Sequence, residues 1–172
     1  MKCRERMEKY LRENGVGFEV ETHDQAFTMQ EVAAALHVPG NQVAKVVIVC
    51  ADKDKVMLVL PAPYRMNVDL VRDMVGAKEV RLAKEEEFAD LFPDCATGAM
   101  PPFGNLYGLP VYVDTRLEEN ASIVFNAGTH DEAIRVTFAD FKRLVDPVIG
   151  TFGVLARGRF RPHEHELLHG LP

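Results

Sequence analysis

Val43-Ala44-Lys45-Val46-Val47-Ile48-Val49-Cys50-Ala51-Asp52-Lys53-Asp54-Lys55-Val56-Met57-Leu58-Val59-Leu60 is the stretch whose reading decides the fold. Two apolar, largely β-branched runs, Val43 to Ala51 and Val56 to Leu60, flank four charged residues, and that pattern predicts a hairpin. The first arm is apolar on both faces except at Lys45. A lysine is almost never fully buried unless it is paired. Lys45 therefore either snorkels to solvent from the strand end or projects into a cleft, where its ammonium holds an anionic or carbonyl oxygen.

Upstream of the hairpin, residues 2 to 14 predict a helix, with Cys3, Met7, Tyr10 and Leu11 on one stripe and Gly15 as its stop. Phe18 to Thr22 alternates like a short strand. Thr28-Met29-Gln30-Glu31 is a capping box that opens a helix over Val32 to Leu36. Downstream, Asn67 caps a helix over Val68 to Val75 that Gly76 closes. A strand is expected over Glu79 to Leu82, and a helix from Lys84 to Phe92 that stops at Pro93. Three more strands (Pro110 to Asp114, Ser122 to Asn126 and Ala133 to Thr137) precede a last helix from Ala139 to Val145. Strands outnumber helices and do not follow a βαβ rhythm. This predicts an α+β fold: a single compact domain with a mixed, mostly antiparallel sheet and flanking helices. The domain is expected over residues 1–155. Residues 156–172, with Arg157, Arg159, Arg161 and several histidines, read as a polar tail.

The composition sets wider limits. The chain has 172 residues, 47% of them hydrophobic and 27% charged. A chain of this length buries roughly 70% of its unfolded surface and holds a core without disulfides or a structural metal. Its longest apolar run is Val46 to Ala51, far short of the ~20 residues a membrane helix needs. Charges fill the N-terminus where a signal peptide would be apolar, so a cytoplasmic protein is expected, without a membrane partner. Twenty Lys and Arg against 26 Asp and Glu give a net charge of −6. That argues against a protein that coats nucleic acid nonspecifically, but leaves room for a local contact with one RNA end. The cysteines, Cys3, Cys50 and Cys95, are widely spaced and contain no CxxC pair, so neither a zinc ribbon nor a redox dithiol is suggested.

Candidate chemistry is concentrated in two segments. Residues 94 to 108 hold three glycines and two prolines among Met, Phe, Leu and Tyr, a composition that predicts an ordered but irregular loop. Its Gly98 to Gly104 stretch can present backbone N–H groups toward one oxygen; the alternative is a rigid turn under a hydrophobic lid. Phe125-Asn126-Ala127-Gly128-Thr129-His130 brings an amide, a hydroxyl and an imidazole to the end of a strand; the alternative is a plain hairpin turn. No Walker lysine or GxGxxG follows a strand. The single serine, Ser122, lacks a nucleophile elbow, and Cys95 with His130 lacks a cysteine-protease signature. His165-Glu166-Leu167-Leu168-His169 matches the HExxH zinc-peptidase letters, but no helix beyond it can supply a third ligand, so this reading is rejected.

Three separated segments then carry a resemblance. Thr28…Val32-Ala33…Leu36 with Val43-Ala44-Lys45 resembles the opening of the YbaK/prolyl-tRNA synthetase-associated domain family. Gly98-Ala99-Met100-Pro101-Pro102-Phe103-Gly104, followed by Leu109 to Asp114, resembles its G-x-x-P-F-G loop and the strand after it. Phe125 to His130 is similar to its third signature, with Thr129 where serine is common. The likeness spans about residues 5 to 150. The chain departs from it at Val46, where a small hydroxyl residue is common, and beyond residue 155.

The resemblance implies a trans-editing aminoacyl-tRNA deacylase without cofactor or metal. Its substrate would be the aminoacylated acceptor end of a mischarged tRNA, of the Cys- or Ala-charged proline tRNA type, and an aminoacyl-tRNA synthetase is a possible docking partner. Lys45 and the amides between Gly98 and Gly104 are the expected catalytic groups. Pro102, Phe103, Asn126, Gly128, Thr129 and His130 are the expected substrate-binding residues. The competing class is a noncatalytic module of the same fold that binds a tRNA end or an aminoacyl group.

Overall fold

A computed structural model describes residues 2–156. In chain order its elements are α1 (Cys3–Glu13), β1 (Glu19–Thr22), α2 (Met29–Leu36), β2 (Ala44–Ala51), β3 (Asp54–Pro61), β4 (Tyr64–Met66), α3 (Val68–Val75), β5 (Val80–Leu82), α4 (Glu85–Phe88), β6 (Val111–Asp114), β7 (Ser122–Asn126), β8 (Glu132–Thr137), α5 (Phe138–Val145), β9 (Val148–Gly150) and β10 (Gly153–Leu155). The main sheet runs β5-β2-β3-β6-β9, with a smaller sheet β1-β8-β7 and a ribbon β10-β4. β3–β6 and β6–β9 are parallel and the other strand pairs antiparallel, the α+β arrangement expected from the sequence.

The β2–β3 hairpin is tighter than expected. Ala51 pairs with Asp54, leaving Asp52-Lys53 as the turn. Asp52 takes the positive φ of 55° that this turn needs. Its carboxylate accepts from the amides of Lys78 and Glu79, which anchors the turn to the start of β5.

The hairpin is covered on both faces. Ala44, Val46 and Ile48 join Met57, Val59 and the phenylalanines Phe103, Phe125, Phe138 and Phe141 in the larger core. Val47, Val49 and Ala51 join Leu58, Leu60 and Phe152 in a second core. A third, small cluster of Met29, Val32, Ala33, Val43, Ala62, Val124 and Ala133 lies under α2. A single parallel bridge, Val43 to Val124, joins the two larger sheets.

The sequence signals for the helices hold locally. Cys3, Met7 and Leu11 are the buried stripe of α1. Thr28 Oγ1 accepts from Glu31 N at 3.1 Å while Glu31 Oε1 accepts from Thr28 N at 3.0 Å, closing the capping box of α2. Asn67 Oδ1 and Thr137 Oγ1 cap α3 and α5 by accepting from the amides of Leu70 and Asp140.

Three expectations need correction. The helix expected from Lys84 to Phe92 is a four-residue α4 followed by a 3₁₀ turn, Ala89–Leu91. The glycine- and proline-rich loop is not wholly irregular, since Gly104–Tyr107 forms a 3₁₀ turn. β4, β9 and β10 were not expected at all. Each has three residues, too few for a period-2 pattern, and each exists through the strand it pairs with.

The polar tail and its HExxH letters lie outside the described residues, apart from Ala156, whose amide donates to Pro63 O at 2.9 Å. Among the described residues no helix is long and apolar enough to cross a membrane.

Candidate functional site

At the seam between α2 and the first residues of β2 is a cleft of about 360 Å³. Phe27, Thr28, Met29 and Gln30 form one wall, Ala44, Lys45, Val46 and Ala62 the floor, and Gly98, Met100 and Asn126 the opposite wall. Three separated sequence segments thus meet here. The capping box fixes the first, the start of the central hairpin supplies the second, and the loop before β6 with the end of β7 supplies the third. A larger hollow of about 480 Å³ lies at the far end of the hairpin, lined by Asp52 to Val56, Gly108 to Pro110 and Tyr112. Its charged side chains belong to the solvated turn, and it contains none of the unpartnered buried polar atoms found at the first cleft.

Lys45 stands at the end of the second core's face of β2. Its ammonium donates to the carbonyls of Ala62, at 3.3 Å, and Tyr64. Among the described residues no carboxylate lies within ion-pair distance of it. Burial alone acts on its titration and pushes the ammonium below the ordinary lysine range.

The acceptor at Tyr64 is held in place by the strand that pairs with it and by the end of β6. Tyr64 lies on β4, which pairs with β10. The fully buried Asp114 carboxylate accepts from Gly153 N at 2.7 Å and Phe152 N at 3.0 Å, fixing where β10 begins. Arg116 bridges Asp114 and Gly153 O, with its guanidinium 4.7 Å from the Tyr64 ring centroid. Sequence reasoning missed this support because the links from Asp114 and Arg116 to β10 and to Tyr64 are long-range.

The opposite wall carries weakly engaged polar groups. Gly98 adopts φ +86° and its amide donates only to the thioether of Met100, at 3.3 Å. A thioether is a weak acceptor, so this N–H is available to a better one. Asn126 is 3% exposed; its Nδ2 donates to Met29 Sδ at 3.1 Å, and its Oδ1 is buried without a partner. His130 borders the cleft behind Gly98 and Phe27, with its ring centroid 4.8 Å from that of Phe27. Its Nε2 meets Thr97 O at 3.0 Å, and its Nδ1 is buried and unpartnered.

The structure therefore brings Lys45, Gly98 and Asn126 to one cleft, with His130 at its edge. It puts the other expected residues elsewhere. Phe103 is fully buried in the larger core against Phe125 and Phe141. Pro102 is buried beside it, away from the cleft lining. A Cβ on Gly104 would meet Val111 Cγ2 at 2.8 Å, so glycine there serves close packing. Gly128, at φ +97°, faces α1; a Cβ on it would stand 2.3 Å from Cys3 Cβ. It exchanges backbone hydrogen bonds with Ala96 and Ala99, tying the glycine loop to the β7–β8 turn. Thr129 is exposed and donates toward Asp131 and Glu132, closing the same turn. Cys95 is engaged with Tyr107 and Asp94 rather than with His130.

Sequence reasoning missed Phe27, Met29, Gln30, Met100 and Ala62 as cleft residues. The capping box marks where α2 begins, but not that its first turn faces Lys45.

The geometry can be set beside known proteins. The family profile described as aminoacyl-tRNA editing domain matches residues 23–144. The chain is 28% identical over 154 residues to the multifunctional Ser/Thr-tRNA deacylase ProXp-y of Escherichia coli (strain K12), covering 86% of this chain and 91% of that one. It is also 28% identical over 111 residues to the proline–tRNA ligase of Nitratidesulfovibrio vulgaris (strain Hildenborough), covering 64% of this chain but only 19% of the ligase. Its fold is similar to the crystal structure of hypothetical protein APE2540, with a TM-score of 0.78 at 20% identity over 86% of this chain and 99% of that one. The family match encloses Lys45, Gly98, Asn126 and His130 together with the elements that carry them, and the chain belongs to the aminoacyl-tRNA editing domain family.

Proposed function

We propose that the protein hydrolyses the ester of mischarged aminoacyl-tRNA in trans, with the aminoacyl group and terminal ribose seated in the Lys45 cleft. The observation that carries this reading is the ammonium of Lys45, half-buried and held, among the described residues, only by carbonyls, across the cleft from the weakly engaged amide of Gly98. A carboxylate partner would neutralise that ammonium; without one it is free to polarise an ester carbonyl or hold a neighbouring ribose or phosphate oxygen.

Water attacks the ester carbonyl carbon, and the developing oxyanion takes hydrogen bonds from Lys45 Nζ and Gly98 N. One such donor is typically worth ~2.7–4 kcal/mol in the transition state. The tetrahedral intermediate collapses with cleavage of the bond to the ribose oxygen, which leaves as a hydroxyl, and the amino acid departs as its carboxylate. The free ribose hydroxyl of the substrate positions the water and relays one of its protons to the departing ribose oxygen, and the carboxylic acid gives up the other to solvent. No side-chain nucleophile is required, which agrees with the absence of a serine elbow and with the engagement of Cys95 by Tyr107 and Asp94.

The amino acid removed is of the small class that the resemblance implies. Met29, Met100, Ala44, Ala62 and Phe27 supply apolar contacts in the cleft, and Asn126 Oδ1 offers one acceptor to an α-ammonium, hydroxyl or thiol. The resemblance pointed to Cys- or Ala-charged proline tRNA. The name of the E. coli relative and the Asn126 acceptor add Ser- and Thr-charged tRNA to the same class. The partner is the aminoacylated acceptor end; docking on a synthetase is a further part of the proposal.

The experiment is deacylation of a panel of Ser-, Thr-, Cys- and Ala-charged tRNAs by wild type and Lys45→Ala. Release of amino acid by wild type alone is the expected result, and the panel names the substrate. Binding of charged tRNA without release of any amino acid would overturn the enzymatic reading in favour of a binding module.

A further inference from the structure

The cleft leaves one cluster of reactive side chains unused. Cys3, in the first turn of α1, and Cys95, just after the 3₁₀ turn, are far apart in sequence, yet their sulfurs and an Asp94 carboxylate oxygen all lie within 4.8 Å of one another. The Tyr107 hydroxyl completes the group. It stands 3.8 Å from Cys3 Sγ, 3.4 Å from Cys95 Sγ and 3.3 Å from Asp94 Oδ1, and Cys95 Sγ is 3.6 Å from Asp94 Oδ1.

These separations have a meaning. A tetrahedral zinc ion holds thiolate sulfur at about 2.3 Å and carboxylate oxygen at about 2.0–2.2 Å. Four ligands at such distances stand roughly 3.3–3.8 Å from one another, as the edges of a tetrahedron require. The three sulfur–oxygen contacts of the cluster fall in this range, and its one O···O pair, at 3.3 Å, is longer than the about 2.7–2.8 Å of an ordinary O–H···O hydrogen bond. Softness fits as well: two thiolates favour zinc over magnesium or calcium. Arg6 lies 3.5 Å from Asp94 and 4.5 Å over the Tyr107 ring, and so offsets the negative charge of two thiolates and a carboxylate. A cavity of about 380 Å³ reaches the cluster from the side of Cys3 and Asp94, both of which line it.

We propose that Cys3, Cys95 and Asp94 bind one zinc ion, with its fourth position toward the Tyr107 hydroxyl. The site departs from the sequence expectation that no metal is held, and it does not depend on the hydrolytic reading of the Lys45 cleft. Coordination displaces the proton of each thiol to solvent. The ion clips the start of α1 to the segment that leads into the glycine loop. Cys3 N already donates to Asp94 O at 3.1 Å, and Ala96 N to Gly128 O at 2.8 Å, so the clip extends an existing seam.

Titration of the reduced full-length chain with Co²⁺, followed by displacement with Zn²⁺, tests the site. The expected result is one ion per chain, with tetrahedral cobalt d–d bands and a thiolate-to-cobalt charge-transfer band. Both signals should vanish in Cys3→Ser/Cys95→Ser and persist in Cys50→Ser. They should also persist when His163, His165 and His169 are all replaced by alanine, which separates the site from any held by the tail. Should the double variant not fold, wild type still decides the matter: Zn²⁺ should protect Cys3 and Cys95 together from alkylation, read by peptide mass. No charge-transfer band, a band that survives the double serine variant, or unchanged alkylation of both thiols would overturn the proposal.

Discussion

Lys45 Nζ lies 3.3 Å from the carbonyl oxygen of Ala62, and burial pushes the ammonium below the ordinary lysine range. A residue placed there for stability would be expected to have a carboxylate within reach; Lys45 has backbone carbonyls and a cleft. In Lys45→Met, hydrolysis should fall by about 10²–10³ or more, the cost of losing one oxyanion donor. Stability should change little, because relief of desolvation offsets the loss of hydrogen bonds worth about 0.5–1.5 kcal/mol each. Deacylation rate and chemical denaturation, measured on the same samples, check this.

The direction of the Lys45 shift also sets a pH dependence. The ammonium is the active form, so the rate should decline on the alkaline side at a pH below the ordinary lysine range. For stability the sign is opposite. Between the lowered folded value and the ordinary unfolded one, the unfolded chain binds more protons, so the Lys45 contribution to stability rises with pH. Lys45→Met should remove that rise. Rate–pH and denaturation–pH profiles of both proteins test the pair of signs.

Asn126 lines the cleft from the end of β7, and its Oδ1 is buried without a partner. If it accepts from the hydroxyl of a bound amino acid, Asn126→Ala should slow deacylation of Ser- and Thr-charged tRNA by roughly tenfold to a hundredfold more than that of Ala-charged tRNA. An equal loss on all three would assign Asn126 to the shared α-ammonium instead. Competition between the charged tRNAs in one reaction reads the ratio directly.

Phe103 belongs to the core by its packing, although its motif suggested a substrate contact. Phe103→Ala should destabilise the protein by about 3–5 kcal/mol. Phe103→Leu, folded at low temperature, should keep most of the hydrolytic rate. A rate collapse in folded Phe103→Leu would return the ring to the site.

Gly128 is a close-approach glycine. Alanine there would drive a methyl group into Cys3 at a φ of +97°, so Gly128→Ala should destabilise through backbone strain and displacement of α1. Thermal unfolding should show a clear loss. Gly17→Ala, where nothing lies within 4 Å of the added carbon, should show far less.

Much of the fold was legible in particular residues. Thr28 and Glu31 marked the start of α2, Asn67 that of α3, and the two apolar runs around Asp52-Lys53 gave the central hairpin. Those signals are local: a cap, a periodicity or a turn depends on neighbours within four residues. The candidate site was legible in kind. Lys45 stood out as a charge in an apolar strand, and Asn126 and Gly98 as polar or flexible residues where regular structure ends. Pro102, Phe103, Gly104, Gly128 and Thr129 lie in the same motifs but away from the cleft. A motif records every residue a local geometry needs, and many of these serve the turn or the packing beneath it.

From its sequence alone, the chain's class, its central hairpin, its family likeness and the singular position of Lys45 were determined. Tertiary structure alone decided that the first turn of α2 closes the cleft, that Asp114 and Arg116 hold the strand presenting Tyr64 O to Lys45, and that Cys3 meets Cys95. The physical reason is range. Secondary structure follows from sterics and hydrogen bonds between near neighbours, whereas these contacts exist only once burial of the apolar faces has brought distant segments of chain together.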